Sequence, residues 1–183
     1  MKRLFFVTGQ PGIGKTTVII EAANGLKQRG YTVGGMISRE VRQEGVRVGF
    51  EVADLDSGAK GWLAHVNQHE GPQVGKYRVN LSDFESVGVK AVQNALKRTQ
   101  VIILDEIGPM ELSSNAFIQV VKDALGSKKP ILGVIHCNAR DAIVEAIKRR
   151  DDIEIQPVTF ENRRNLHNTL IERAVQYLNQ VRL

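Results

Sequence analysis

Leu4-Phe5-Phe6-Val7-Thr8-Gly9-Gln10-Pro11-Gly12-Ile13-Gly14-Lys15-Thr16-Thr17 is the stretch whose reading decides the fold. It opens as a β-rich apolar run and passes into a glycine-rich turn. From Lys15 to Arg29 the apolar residues Val18, Ile19, Ala22, Ala23 and Leu26 then recur at helical spacing. Strand, loop and helix follow one another directly. Gly9, Gly14, Lys15 and Thr16 fill the fixed positions of a phosphate-binding loop, in the setting that such a loop requires. Glycines let backbone N–H groups turn inward around phosphate oxygens, and the helix N-terminus adds positive partial charge. The expected nucleotide-binding residues are therefore Gly9, Gln10, Pro11, Gly12, Ile13, Gly14, Lys15, Thr16 and Thr17. Lys15 is expected to reach the β- and γ-phosphates, and Thr16 to offer its hydroxyl to Mg²⁺, a cation that takes hard oxygen ligands.

Outward from this stretch, Gly30 stops the first helix and Tyr31 to Ile37 resumes as a strand. Glu40 to Leu55 reads as a hairpin turning near Gln43-Glu44-Gly45. Asp56 to Asn80 is rich in glycine and proline and reads as loop, with one short strand around Lys76 to Val79. Ser82 and Glu85 have the spacing of a capping box before a helix carrying Val89, Val92 and Leu96. Val101-Ile102-Ile103-Leu104 is uninterrupted, as a central parallel strand covered on both faces demands. Helix Asn115 to Leu125, strand Pro130 to Ile135, helix Ala139 to Lys148, strand Ile153 to Pro157 and helix Asn162 to Leu178 complete the order. This alternation predicts one α/β domain over residues 1–183, with a mostly parallel sheet and helices on both faces.

The strand from Val101 ends in Asp105 and Glu106, which suits the second metal-site element of phosphate-loop NTPases. Asp105 is expected to hold Mg²⁺ through water and Glu106 to orient or deprotonate an attacking water. Both join the expected nucleotide-binding set. The catalytic candidates are Glu106, Lys15, Arg42 and Arg47, the two arginines lying on a hairpin able to fold over the γ-phosphate. His136 and Asn138, just past a strand end, are candidates for sensing that phosphate, Glu111 for supporting the metal and Trp62 for stacking on the base.

Bulk properties limit the function classes. In 183 residues, 42% apolar and 25% charged describe an ordinary globular chain, and every apolar run is too short to cross a bilayer. The formal charge of +5 is spread over short clusters without interleaved aromatics, so nucleic acid is not expected as a partner. Cys137 is the only cysteine, which fits a reducing cytoplasm and reads as a small buried residue at a strand end. The expected partners are nucleoside triphosphates, and a monomer is the default.

Further motifs carry a family resemblance. Glu40-Val41-Arg42, Gly45-x-Arg47-x-Gly49-Phe50 and Asp105-Glu106-Ile107-Gly108-x-Met110-Glu111-Leu112, together with the phosphate loop, resemble the cancer-related nucleoside-triphosphatase family. Val74-Gly75-Lys76-Tyr77 and Glu161-Asn162-Arg163 extend the likeness over nearly the whole chain, and Gly61-Trp62-Leu63 departs from it where a more basic segment is expected. The resemblance implies a RecA-like sheet and hydrolysis of nucleoside triphosphates with loose base preference. Alternatives are a small-molecule or nucleotide kinase and a nucleic-acid-coupled nucleotide switch.

Overall fold

The structure, a computed structural model, describes residues 1–137 and 139–181. In chain order, β1 (Leu4–Thr8) leads through the glycine-rich loop into α1 (Lys15–Gln28), and β2 (Val33–Gln43) turns into β3 (Val46–Asp54). After β4 (Lys60–His65), β5 (Gln73–Val74) and β6 (Tyr77–Val79), one helix is built from α2 (Leu81–Phe84), a π-helical stretch (Glu85–Val89) and α3 (Lys90–Arg98). Next come β7 (Val101–Ile107), a 3₁₀ turn (Glu111–Ser113), α4 (Asn115–Gly126) and β8 (Ile131–Ile135). α5 (Ala142–Lys148), β9 (Ile153–Pro157) and α6 (Leu166–Val181) follow.

The strands form a nine-stranded sheet in the order β5-β6-β4-β3-β2-β7-β8-β1-β9. β2, β7, β8, β1 and β9 are parallel neighbours, while β3, β4, β6 and β5 extend the sheet antiparallel from β2. Adjacent residues of a parallel strand serve opposite cores. Leu4, Phe6, Ile102 and Leu104 pack with Phe117 and Val121, whereas Phe5, Val7, Val101 and Ile103 pack with Ile19 and Leu170. That double duty is why the stretches Leu4 to Val7 and Val101 to Leu104 carry no polar residue. α1 and α6 cover one face, and α3, α4 and α5 the other. Phe117 is fully buried with its ring 5.3 Å from that of Phe84. Phe117→Ala is expected to lower unfolding free energy by about 3–5 kcal/mol, read as a drop in urea midpoint at unchanged slope.

The antiparallel half is where sequence and structure part. β2 runs unbroken from Val33 into the hairpin, whose turn is Glu44-Gly45 with both residues at positive φ. β4 and β5 lie in the segment expected to be loop. Gly61 reads as a breaker, yet it serves close packing: a Cβ there would meet Asp83 Cβ at 3.1 Å and Val87 Cγ2 at 3.3 Å. The helix after β6 is capped by Asn80, which accepts from the Asp83 N–H at 3.0 Å, and not by Ser82. Glu85 instead accepts from Ser114 Oγ at 2.8 Å, tying this helix to the cap of α4. α5 and α6 begin three and four residues later than their periodicity suggests, α5 because Asp141 supplies its cap.

Candidate active site

Parallel order sets the carboxyl ends of β1, β8 and β7 side by side, and the site gathers there. Gly14 caps α1 at φ 111°, a left-handed conformation that favours glycine, and no side chain caps the first turn. The first-turn N–H groups are thus available to an anion. Lys15 Nζ donates to the carbonyls of Gly9 at 3.0 Å and Gln10 at 3.1 Å, which holds it curled over the loop. Ile13 is buried against α1 and α6 and pins the loop to the core.

At the end of β7 two neighbouring carboxylates meet different surroundings; the peptide between them is cis. Asp105 is fully buried, and neither of its oxygens has a hydrogen-bond partner. Burial pushes its carboxyl up to about 7. The Thr16 hydroxyl pulls this back, the Glu106 charge adds to it, and the Ser38 N–H and the Lys15 charge oppose it; the Thr16 and Ser38 donors stand outside hydrogen-bond geometry. An orphaned carboxylate beside a threonine hydroxyl is a set of hard donors, which fits Mg²⁺. Among the described residues no group of three or more His, Cys, Asp or Glu is arranged to hold a metal. Substrate and water oxygens would complete such a shell, as Mg²⁺ accepts.

Glu106 is partly buried, which raises its carboxyl, while His136 and Lys15 pull it back. Glu111, buried at the start of the 3₁₀ turn, is held well above the usual carboxylate range by desolvation and then by the Glu106 charge. The two flank Gly108, where a Cβ would stand 2.9 Å from Glu106 Oε1 and 3.1 Å from Glu111 Oε2. Gly108→Ala therefore displaces flexible carboxylates and not backbone. Turnover is expected to fall about a hundredfold with the urea midpoint nearly unchanged, because displacement of a reacting group by an ångström has that scale of cost.

A cavity of about 880 Å³ joins these groups. Its lining includes Gly9, Pro11, Gly12, Gly14, Lys15, Thr16 and Thr17 from the loop and α1, then Glu106, Glu111 and His136. Ser38, Arg39, Glu40, Arg47 and Phe50 contribute from β2 and β3. Asp105 lies outside the lining because it is fully buried; Gln10 is also outside, offering its carbonyl to Lys15. Arg47 lines the cavity, its Nε donating to Tyr77 Oη at 2.8 Å and its guanidinium 5.2 Å from the Phe50 ring. Arg42 does not. It donates to Glu40 Oε1 at 2.7 Å and to the Gly45 carbonyl at 2.8 Å, so the hairpin turn retains it. Arg39, unremarked in the sequence, lines the cavity and makes no hydrogen bond or ion pair among the described residues.

His136 sits just past β8, its N–H donating to the Ile107 carbonyl at 3.1 Å; Asn138 lies outside the described residues. Trp62 is in β4, its ring edge-on to that of His65 at 4.6 Å, and it does not line the cavity. Cys137 is exposed, because β8 ends at Ile135 and the cysteine falls in the following turn.

The family model described as NTPase matches residues 4–171. The chain belongs to the NTPase family. The nucleoside-triphosphatase THEP1 of Thermofilum pendens is 47% identical over 160 residues, covering 87% of this chain and 88% of that protein. THEP1 of Methanopyrus kandleri is 40% identical over 175 residues, covering 95% and 96%. The crystal structure of THEP1 from the hyperthermophile Aquifex aeolicus matches with a TM-score of 0.83 at 26% identity, covering 93% of this chain and 98% of that one. A solution structure of a human cancer-related nucleoside triphosphatase matches with a TM-score of 0.79 at 39% identity, covering 94% and 96%. The resemblance carried by the motifs is borne out, as is the mostly parallel α/β sheet of an NTPase fold. Nucleoside-triphosphate hydrolysis is the activity class of the NTPase family.

Proposed function

We propose that this chain is a Mg²⁺-dependent phosphohydrolase that releases the γ-phosphate of ATP, GTP and other nucleoside triphosphates with broad base tolerance. One observation carries the reading: the glycine-rich loop, with Lys15 curled over it, opens into the same cavity as Glu106. Lys15 would exchange the carbonyls of Gly9 and Gln10 for β- and γ-phosphate oxygens. Thr16 and Asp105 would hold the cation, which when bound supplies charge neutralisation at the phosphates. Glu106 would orient a water toward the γ-phosphorus and take its proton. Arg39 and Arg47 would offset the charge that develops on the equatorial oxygens, a task better suited to them than to the retained Arg42. No helix among the described residues is long and apolar enough to cross a membrane. We place the chain in a reducing cytoplasm, on the strength of its single thiol.

The test is phosphate release from ATP, GTP, CTP and UTP, with Mg²⁺ and with a chelator. All four should yield the diphosphate and phosphate, and chelation should abolish release. A preference above about a hundredfold in kcat/KM, roughly 2.7 kcal/mol, contradicts broad tolerance. Asp105→Asn should weaken metal retention and be partly rescued by raised magnesium.

A second reading has one observation in its favour. The same cavity is also lined by Phe50, Leu63, Val74 and Met110, apolar surface that a triphosphate does not need. Such a wall suits the body of an organic acceptor, as a small-molecule kinase requires. Screening nucleosides, nucleotides and small alcohols for a phosphorylated product from ATP separates the two.

A further inference from the structure

β1 has β8 and β7 on one side and β9 on the other. Glu106 belongs to β7, so a triphosphate whose γ end faces Glu106 leaves its nucleoside end on the β9 side. The turn joining β9 to α6 stands there, packed on the glycine-rich loop. The Val158 N–H donates to the Thr8 carbonyl at 2.8 Å. A Cβ on Gly9 would lie 3.1 Å from the Val158 carbonyl oxygen, and one on Gly14 would lie 3.9 Å from Arg163 Cδ. The turn is also firmly tied. Asn162 Oδ1 accepts from the Thr159 N–H at 2.8 Å, Asn162 Nδ2 donates to the Pro157 carbonyl at 2.8 Å, and the Arg163 N–H donates to the Thr159 carbonyl at 3.0 Å.

At the tip of this turn Phe160 is 71% exposed, and among the described residues only Met1 and Val46 are other large apolar side chains left so open. The Arg163 guanidinium stands 4.9 Å from the centre of its ring. An aromatic ring kept in water beside a phosphate-binding loop, with a cation over it, is a surface for a flat π-faced group attached to an anion.

We propose that Phe160 and Arg163 form the nucleobase platform, the base stacking on the Phe160 ring at the edge of the loop. The platform rests on the hydrolase reading only for the placement of the triphosphate. Every base has a π-face, and neither residue fixes a donor–acceptor pattern against a base edge, so purine and pyrimidine triphosphates are all accepted. Base tolerance then follows from how the base is held, and not from a lack of contact.

The test compares equilibrium binding of ATP, GTP, CTP, UTP and inorganic tripolyphosphate, with magnesium present. Phe160→Ala should weaken all four nucleotides about tenfold, the scale of one lost base–aromatic stack, and leave tripolyphosphate within about twofold. Phe160→Trp should retain nucleotide affinity. Its added indole should be quenched by nucleotides and not by tripolyphosphate, measured against the Trp62 background of the parent chain. Phe160 is exposed, so truncation leaves no buried cavity, and an unchanged urea midpoint confirms an intact fold. Unchanged nucleotide affinity in Phe160→Ala, or a parallel loss for tripolyphosphate, overturns the platform. If the parent binds tripolyphosphate as tightly as ATP, the platform falls and the phosphate loop stands. If the parent binds neither, the phosphate loop itself is misassigned and both fall.

Discussion

Glu106→Gln is expected to lower phosphate release by about a hundred- to ten-thousandfold while the nucleotide Kd stays within about threefold. The amide keeps the shape and hydrogen-bonding reach of the side chain and deletes only the oxygen charge that would accept the proton of the attacking water. Glu106 lines the cavity with Glu111 and His136. Burial, and then the charge of Glu106, hold the Glu111 carboxyl well above the usual carboxylate range. Single-turnover phosphate release and calorimetric binding decide the matter together. Near-parental turnover in this variant moves water activation elsewhere and strengthens the kinase reading.

Lys15→Ala is expected to strike binding and turnover at once. The ammonium is to contact phosphate oxygens before and during transfer, and charge-assisted contacts of this kind are worth about 1.5–3 kcal/mol, roughly ten- to a hundredfold in Kd. The transition state carries more charge on the γ-phosphate than the ground state does. kcat should therefore fall further, by about a hundred- to a thousandfold. Binding of ATP with magnesium as tight as the parent's means that the loop is not a phosphate site. Read together, the two variants separate roles: one spares affinity and the other does not.

Legibility in the sequence followed how far each feature depends on local chemistry. The glycine-rich loop, the strand from Val101 and the helix from Asn115 are written in short-range signals: the run of glycines, an uninterrupted apolar run, and a helical span that starts within a residue of the observed one. β4 escaped because Gly61 looks like a breaker, whereas it is small to admit Asp83 and Val87 from a helix distant in sequence. Asn80 and Glu85 show the same effect. A capping box is indicated by spacing, but the acceptor for Ser114 is fixed by how two helices meet. In the site, residue types were readable and orientations were not. Arg42 and Arg39 lie three residues apart on one strand, and only the fold reveals that Glu40 and the Gly45 carbonyl retain the first while the second reaches the cavity. Phe160 was concealed for another reason. It lies just ahead of a residue run that looks like the start of a helix, and its exposure depends on the Thr159–Asn162 turn.

Attack of water on the γ-phosphorus, directed by Glu106, is the central claim, and hydrolysis of ATP in ¹⁸O-enriched water tests it most directly. The phosphate released should carry one solvent oxygen per turnover, the diphosphate should carry none, and release should proceed with no added acceptor. Label in the diphosphate places the attack at the β-phosphorus. Phosphate without label, or release that begins only when an organic hydroxyl compound is supplied, contradicts hydrolysis at the γ-position.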